Sequence, residues 1–267
     1  MSSAASDPAE PVAPRGAGDV PGAPAARRAP RSRRERPAKP ALSRDAIVDA
    51  GLDILRSEGV GALSMRRVAT ALDTGPASLY VYVANRDELH ELLFDAAIGT
   101  IEVEATDPAR WREQLHDLMG RMVAMMLEDF PGIAIMGMAT IPTGDNALRV
   151  TESMMSLLRA GGAADQAVAY AADLLSMYAT AIAYEQSLYA ELYADPEREQ
   201  REIARVMQRF TKLPADRYPT MAAIAPLMTR GDGHERFTLG LDVIINGLLT
   251  TPTDGRLSEH AWGDHTP

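Results

Sequence analysis

Residues 46–93 read AIVDAGLDILRSEGVGALSMRRVATALDTGPASLYVYVANRDELHELL, a stretch that contains several short helical patterns in succession. The first pattern follows Ser43, a residue type that favours the N-cap of a helix. Its apolar side chains recur three or four positions apart, which is the spacing of one buried helix face. They are Ile47, Ala50, Gly51, Ile54 and Leu55. The pattern predicts one amphipathic helix, which Gly59 and Gly61 end.

Two more short helices follow in the same stretch. Ser64 is the predicted N-cap of the second helix, and Pro76 is the predicted first residue of the third. A turn at residues 73–75, Asp-Thr-Gly, separates them. The inward faces consist of Met65, Val68, Ala69 and Leu72 in the second helix and of Leu79 and Val83 in the third. Two short helices joined by a tight turn predict a helix-turn-helix unit.

The outward face of the third helix carries no charged residue. This face consists of Ala77, Ser78, Tyr80, Val81 and Tyr82. In a DNA major groove, small apolar side chains can contact thymine methyl groups, and hydroxyls can reach base edges and phosphates. Because Arg66, Arg67 and Arg86 flank the face, the pattern favours DNA binding. The alternative is a helix buried in a larger bundle, with its tyrosines in the core.

The same stretch resembles the DNA-binding domain of the tetracycline-repressor (TetR) family, most specifically in LYVYVANRDEL at residues 79–89. The resemblance implies DNA contacts from the second helix, from the turn and third helix, and from the residues that follow. These positions are Ser64, Arg66, Arg67, Thr74, Gly75, Pro76, Ala77, Ser78, Tyr80, Val81, Tyr82 and Arg86. The second groove-facing position, often His in this family, is Tyr82 here. The resemblance therefore does not extend to the operator sequence.

The net charge of −10 is unevenly distributed along the chain. Residues 1–40 hold eight Lys and Arg against four Asp and Glu, whereas residues 93–267 hold fourteen against twenty-five. The first 40 residues are rich in Ala, Pro and Gly and show no apolar periodicity, which predicts disorder. Their basic second half is either a solubilising leader, or the result of a start codon placed too far upstream, or an arm that contacts phosphates or a minor groove.

Everything after Glu88 is predicted to be helical. The predicted segments are Glu88–Glu104, Ala109–Asp129, Gly132–Ala139, Asp145–Ala160, Ala163–Tyr193, Pro196–Phe210, Tyr218–Met228 and His234–Thr250. We therefore predict an all-α protein with an N-terminal three-helix helix-turn-helix domain and a larger C-terminal helical domain. Its regions are a disordered basic arm at 1–40, a DNA-binding domain at 41–101, an effector-binding and dimerisation domain at 102–252, and a flexible tail at 253–267.

The last predicted helix resembles the C-terminal helix of the tetracycline-repressor type. One face of it consists of Phe237, Leu241, Ile244, Ile245 and Leu248. This face belongs either to an ordinary core helix or, together with 163–193, to a four-helix interface with a second subunit. A helix-turn-helix protein reads two half-sites about one DNA turn (~34 Å) apart, which favours the homodimer.

Methionines cluster in the middle helices, where they form either plain core or an adaptable ligand cavity. The family resemblance implies an effector pocket. The candidate pocket residues are Trp111, His116, Met119, Met122, Phe130, Met136, Met138, Tyr178 and Gln186. Tetracycline-binding members hold a magnesium chelate through a His in the segment that corresponds to 132–142, and this segment contains no His here. The expected effector is therefore small, hydrophobic and metal-free, no cofactor is expected, and His116 is interpreted as a structural or surface histidine.

The sequence offers less support for two other classes of function, an all-α enzyme and an adaptor. An all-α enzyme lacks support because the sequence has no HExxH motif, no nucleophile elbow, no phosphate-binding glycine loop and no cysteine. An adaptor would use the N-terminal helices to bind protein, but the uncharged face between arginines favours double-stranded operator DNA. Repression is the default in the family, so the expected function is a repressor that an effector releases from DNA.

The sequence predicts a cytoplasmic protein without a membrane span. Residues 1–40 contain no apolar run typical of a signal peptide. Pro131, Pro142, Asp173 and Glu185 interrupt the least polar later stretches, which leaves them short of the ~20 residues that a membrane span needs.

Overall fold

The computed structural model describes residues 41–139, 141–192, 194–228 and 232–252. Every regular element in these ranges is helical, which confirms the predicted all-α class. The described residues from Leu42 onward form one compact unit. The predicted basic arm and the predicted tail lie outside the described residues.

The N-terminal part begins with four helices. They are α1 (Arg44–Glu58), α2 (Met65–Ala71), α3 (Pro76–Leu79) and α4 (Arg86–Ile98). Ser43 and Ser64 accept hydrogen bonds from backbone N–H groups three residues later, each at 3.1 Å, so both predicted N-caps are present. Gly59 ends α1 with φ +77°, a conformation that side chains disfavour. The inward faces predicted for α1, α2 and α3 are buried or half-buried.

The helix α4 is shorter than the predicted segment Glu88–Glu104 and ends at Ile98. Arg149 contacts the chain just beyond this end: its Nη1 donates to the Ile101 carbonyl at 3.1 Å and its Nη2 to the Gly99 carbonyl at 3.4 Å. The guanidinium thereby satisfies the Gly99 carbonyl, which the longer helix would have bonded internally, and the Ile101 carbonyl, which lies in the last turn of that predicted helix.

Within the described residues the C-terminal part contains seven helices. They are α5 (Trp111–Ala124), α6 (Ala134–Ala139), α7 (Asp145–Ala160), α8 (Asp165–Leu192), α9 (Pro196–Thr211), α10 (Pro219–Met228) and α11 (Gly233–Thr250). Their bounds lie within two residues of the other predicted segments, except that α5 ends at Ala124, five residues before the predicted end at Asp129. A π-helical turn, Met125–Asp129, extends α5. The helices α5, α7 and α8 pack against one another, while α6 and α11 pack on α8. The helix α4 packs on α1, α6 and α7 and so connects the two parts of the chain.

The helix α8 has the length and composition of a membrane span, with 28 residues and a mean hydropathy of 1.2 over its most apolar window. The helix contains Asp173 and Glu185 and still passes this test, so the prediction that these two residues leave the apolar stretch too short for a membrane span is wrong. Within the protein, 44% of the window is buried, and a core helix of this kind passes the same test of length and composition.

Candidate nucleic-acid interface

Two buried side chains hold the recognition segment, residues 76–82, against the rest of the N-terminal part. Leu79 and Val83 are fully buried, as the spacing predicted. The backbone N–H groups of Tyr82 and Val83 both donate to the Leu79 carbonyl at 2.9 Å, which continues the single turn of α3. The residues between these two anchors are therefore fixed in a helical turn and face outward.

The exposed side of the recognition segment is uncharged, as predicted. Tyr80 is 53% exposed, Val81 79% and Tyr82 38%. This exposure excludes the alternative in which the tyrosines fill the core of a bundle. Apolar and aromatic side chains on a helical turn that nothing in the described chain covers are suited to contact a flat or grooved partner.

The turn between α2 and α3 has its left-handed residue at Asp73, with φ +50°, and not at Gly75. Asp tolerates this region better than most residues because its short polar side chain can bond locally. The N–H of Thr74 donates to the Ala69 carbonyl at 2.9 Å, and Pro76 follows as the first residue of α3. The turn is thus the tight connection that the helix-turn-helix prediction required.

The twelve residues predicted to contact DNA come from α2, the turn, the recognition segment and the start of α4. None of them is buried: Arg67, Thr74 and Ser78 are half-buried, and the other nine are exposed. Their exposure is compatible with the predicted contacts, which stay predictions for each residue.

The two arginines of α2 differ in their surroundings. No ion pair or hydrogen bond of the Arg66 guanidinium is found within the described ranges, and its side chain is exposed. Arg67 donates from Nε to Glu58 Oε2 at 3.1 Å, and its Nη2 pairs with Glu58 Oε1. The hydrogen bond from Arg67 lowers the pKa of the Glu58 carboxyl. Sequence reasoning did not single out Glu58, which lies nine residues before Arg67 on a different helix.

Arg86 begins α4, and its Nε donates to Nε2 of His90 at 3.2 Å. Burial lowers the pKa of His90, and the positive charge of Arg86 lowers it further, while Asp87 opposes the shift. The neutral imidazole therefore accepts the hydrogen bond that holds the Arg86 side chain.

Acidification is expected to destabilise the protein through His90. Because the pKa of His90 is lower in the folded chain than in the unfolded chain, the unfolded chain takes up this proton first. The contribution of His90 to stability is therefore fully present above about pH 6.5 and is lost as the pH falls from there through the lowered folded pKa. Urea unfolding measures the free energy of unfolding at neutral pH and at about pH 5.5. Between these two pH values, His90→Gln should lose less of this free energy than the parent protein does. Equal losses in both proteins would contradict this role of His90.

Glu88, in the predicted family motif, connects three segments. Its Oε2 accepts from the Ala84 N–H at 2.6 Å, and its Oε1 pairs with Arg44 of α1. Its own N–H donates to the Asn85 side chain, the N-cap of α4, at 2.8 Å. These contacts fix the end of the recognition segment to α1 and α4.

The helices α4 and α7 cap each other. Asp95 of α4 accepts from the Ala147 N–H at 2.9 Å and from Asn146 Nδ2 at 3.1 Å, at the first turn of α7. Arg149 of α7 in turn binds carbonyls beyond the end of α4. A side chain on Gly144 would clash with the Asp95 carboxylate, so the close approach requires glycine. A carboxylate at a helix N-terminus and a guanidinium at a helix C-terminus each interact favourably with the helix dipole. The two reciprocal caps therefore fix α4 on α7.

The segment 130–137, before and within α6, lies directly under the N-terminal helices. The Arg56 guanidinium of α1 lies over the Phe130 ring at 4.6 Å. A Cβ on Gly137 would lie 2.5 Å from the Phe94 ring of α4. Any movement of this segment therefore reaches α1 and α4 through direct contacts.

The structure brings together four of the nine predicted ligand residues. Met119, Met122, Phe130 and Met136 are buried in one hydrophobic core. One cavity of about 210 Å³ lies beside α4, and another of about 570 Å³ lies on α7 and α8. None of the nine predicted ligand residues lines either cavity. In this conformation the methionine cluster is packed core.

The other five predicted ligand residues are spread over the C-terminal part. Trp111 packs on Gly161 at the α7–α8 turn, Met138 is exposed, and Gln186 approaches Gly233. The Tyr178 ring stacks on Phe237 at 5.6 Å. Trp111 and Tyr178 are half-buried against the same core as the methionines, whereas Met138 is exposed, so the five residues do not surround one common site.

His116 has a structural partner, as its interpretation required. Its Nε2 lies 3.0 Å from Oδ1 of Asp242 on α11, and Arg112 Nη1 donates to the same oxygen at 3.1 Å. Glu113, three residues earlier, pairs instead with Arg110 at 2.7 Å. The histidine therefore connects α5 to α11.

The structure corrects the face of α11 that the sequence assigned to a dimer interface. Phe237, Leu241 and Ile245 are buried in the core of the chain itself, and Ile244 and Leu248 are half-buried against it. Side chains already buried within one subunit cannot also form the surface that meets a second, so Phe237, Leu241 and Ile245 are core residues of this chain. The interface role of the half-buried Ile244 and Leu248 stays a prediction. The exposed apolar residues lie on another face of α11, at Leu239 and Val243, and on the neighbouring α8, at Tyr170, Leu174 and Met177.

Comparison with known families agrees with this architecture. Residues 105–251 match the family model of the tetracyclin repressor-like C-terminal domain. The chain belongs to the TetR family. The membership confirms the resemblance inferred from residues 79–89, together with a helix-turn-helix domain followed by a larger helical domain.

Two relatives of this TetR-family chain are transcriptional regulators. DrrR1 of Streptomyces coeruleorubidus, an HTH-type transcriptional repressor, is 30% identical over 210 residues, which cover 78% of this chain and 77% of DrrR1. An HTH-type transcriptional regulator of Saccharopolyspora erythraea is 28% identical over 210 residues, which cover 79% of this chain and 86% of the relative. Both relatives favour regulation over the all-α enzyme and the adaptor considered above.

A solved TetR structure shares the fold at higher identity. ActR of Streptomyces coelicolor, in complex with actinorhodin, is 40% identical, with a TM-score of 0.70 over 78% of this chain and 97% of ActR. The TetR-family chain is a helix-turn-helix transcriptional regulator.

Proposed function

We propose that the chain is a ligand-responsive repressor that binds a pseudo-palindromic DNA operator as a homodimer in the cytoplasm. The observation that carries the proposal is the exposed, uncharged recognition segment, which Leu79 and Val83 hold on the N-terminal helices. Arg66 and Arg86 lie exposed on either side of it in the sequence and supply positive charge for phosphates. The repressor DrrR1 supports repression as the direction of control.

The exposed apolar faces of α8 and α11 support the homodimer. Tyr170, Leu174 and Met177 on α8 and Leu239 and Val243 on α11 are exposed although their helices pack together. Two helices from each subunit can bury such faces in a four-helix interface. We define these five residues as the dimer face, which replaces the face that the sequence indicated.

A small hydrophobic effector is the proposed signal. ActR is a relative solved in complex with a small molecule, actinorhodin. In this chain the cluster of Met119, Met122, Phe130 and Met136 can rearrange around such a molecule because methionine side chains are flexible. The sequence of residues 132–142 contains no His that could hold a magnesium chelate, which favours a metal-free effector.

The contacts of segment 130–137 suggest how the effector releases DNA. Phe130 belongs both to the methionine cluster and to the contact with Arg56 of α1. An effector that displaces Phe130 would favour a different position of α1 and α4, and hence a different spacing of the two recognition segments. Linkage then requires that operator DNA weaken effector binding by the same factor.

Substitution in the recognition surface tests the proposed function. Tyr80→Ala and Arg86→Ala should each weaken binding to a duplex selected from a random library by roughly fivefold to tenfold. Arg86→Ala should also lower the salt slope by about one per domain, since it removes a phosphate contact. Fluorescence anisotropy over a salt series measures both effects.

Arg205→Ala is the matched control, because Arg205 is an exposed arginine on α9 that pairs with Glu202 at 2.8 Å. It should leave DNA binding unchanged. If Tyr80→Ala and Arg86→Ala both kept full affinity while their thermal unfolding was normal, the recognition surface would be wrongly assigned.

A further inference from the structure

The ion pair between Glu58 and Arg67 lies beside the proposed DNA surface. Glu58 is the last residue of α1, and Arg67 is on α2, whose N-cap Ser64 is a predicted DNA contact. The two side chains are 36% and 37% exposed, so the pair lies at the surface. A DNA phosphate that approaches α2 would therefore meet a guanidinium already bound to a carboxylate.

Glu58 binds one of the two edges through which a guanidinium can hold a phosphate. Arginine binds carboxylates and phosphates bidentately through two parallel N–H groups. In Arg67 these groups, Nε and Nη2, both contact Glu58. The pair also has no net charge, so in this state Arg67 contributes no release of counterions from DNA. The neighbouring Arg66 is free of such a partner within the described chain.

We propose that Glu58 limits sequence-independent DNA binding by holding Arg67 away from phosphates, so that Arg67 makes the DNA contact implied by the family resemblance only when Glu58 releases it. The inference rests on the proposed function, since it assumes that α2 faces DNA. Phosphate contacts carry no sequence information, so a second free arginine would strengthen binding to every duplex alike. Competing non-operator DNA is in large excess, and a lower affinity for it increases the share of the regulator at its operator. Glu58 is thus a positioning residue that acts through Arg67.

Glu58→Gln tests this role because it keeps the size of the side chain and removes its charge. The probe is a random-sequence duplex, titrated over a range of salt concentrations. Freed Arg67 should raise the affinity roughly fivefold at about 0.15 M salt and steepen the salt slope by about 0.9 for each DNA-binding domain. Thermal unfolding of the variant checks that the fold is retained.

Two further variants separate the role of Arg67 from a general loss of negative charge. Asp53→Asn removes another exposed acid of α1, one that pairs with Arg56 at 3.4 Å, and should leave the affinity unchanged. In a protein that already carries Arg67→Gln, Glu58→Gln should change neither the affinity for the random duplex nor the salt slope.

The proposal is overturned if Glu58→Gln gives no gain, if the gain persists without Arg67, or if Asp53→Asn gives an equal gain. The proposed function fails separately: the parent protein would then bind neither the random duplex nor a selected operator in a salt-dependent way. A parent that binds DNA normally, combined with a silent Glu58→Gln, would contradict the role of Glu58 alone.

Discussion

Leu239→Arg is expected to convert the protein into a monomer and to weaken operator binding by on the order of 10²–10⁴-fold. Leu239 is 67% exposed at the dimer face, and a charge there would be buried without a partner in the interface. A monomer binds only one half-site, so it loses the effective concentration that the second half-site provides. The fold should survive, since the side chain is exposed in the single chain. Analytical ultracentrifugation and operator titration measure the two effects.

Leu148→Arg is the matched control for this prediction. Leu148 is an exposed leucine on α7, outside the dimer face, and its substitution should change neither mass nor affinity. Val243→Glu, 63% exposed on α11, should reproduce the effect of Leu239→Arg. If both α11 variants remained dimers and bound the operator with full affinity, the dimer interface would lie elsewhere.

Asp95→Ala is expected to separate DNA binding from its release by effector. The substitution removes the cap that α4 supplies to α7, and such caps contribute about 0.5–2 kcal/mol. Operator affinity without effector should stay within a few-fold. The factor by which an effector weakens DNA binding, typically 5–150-fold, should fall towards one, because α4 is then not fixed on α7 in a defined position that displacement of Phe130 can change. Operator titrations with and without actinorhodin, the ligand of ActR, give a first measurement.

Two variants of α7 sharpen this experiment. Arg149→Ala breaks the opposite cap, at the end of α4, and should reduce the response in the same direction. Arg159→Ala breaks only the surface pair with Asp165, at 3.0 Å, and should respond as the parent does. If an active effector released DNA equally from Asp95→Ala, Arg149→Ala and the parent, the reciprocal caps would not transmit the signal.

The first three helices could be predicted because their signals are local. Ser43 and Ser64 cap the helices that begin next to them, and Leu79 and Val83 lie one helical turn apart. Each of these features depends on about five consecutive residues or fewer, so a single sequence contains it. The helix-turn-helix unit therefore followed from the sequence before any packing was known.

The end of α4 and the face of α11 depend on distant residues. The early end of α4 coincides with contacts from Arg149, about 50 positions later in the chain, and no local pattern around Ile98 announces it. The helix α11 is apolar on two sides, at Leu241 and at Val243, so its periodicity cannot tell which side faces its own core. Only the packing of α11 on α8 separates the two sides.

The candidate sites were predictable to different degrees for the same reason. Arginines beside an uncharged helical face are visible in the sequence, but the partner of Arg67 lies on α1 beyond a 3-10 turn, Val60–Ala62. The ligand residues were chosen by type, and residue type does not reveal that Trp111 packs on Gly161, far along the chain. Side-chain partners of this kind are set by tertiary structure.

The shortness of α3 has a consequence for protein engineering. With one helical turn, Pro76–Leu79, it is far below the ~12–15 residues that an isolated helix needs in water. Its helical conformation therefore depends on the surrounding helices, in which Leu79 and Val83 are buried. If this segment alone were moved into another protein, its side chains would be present but would not keep the helical arrangement that they have here. A designer who wishes to redirect the regulator should instead exchange Tyr80–Tyr82 in place and leave the two anchors intact.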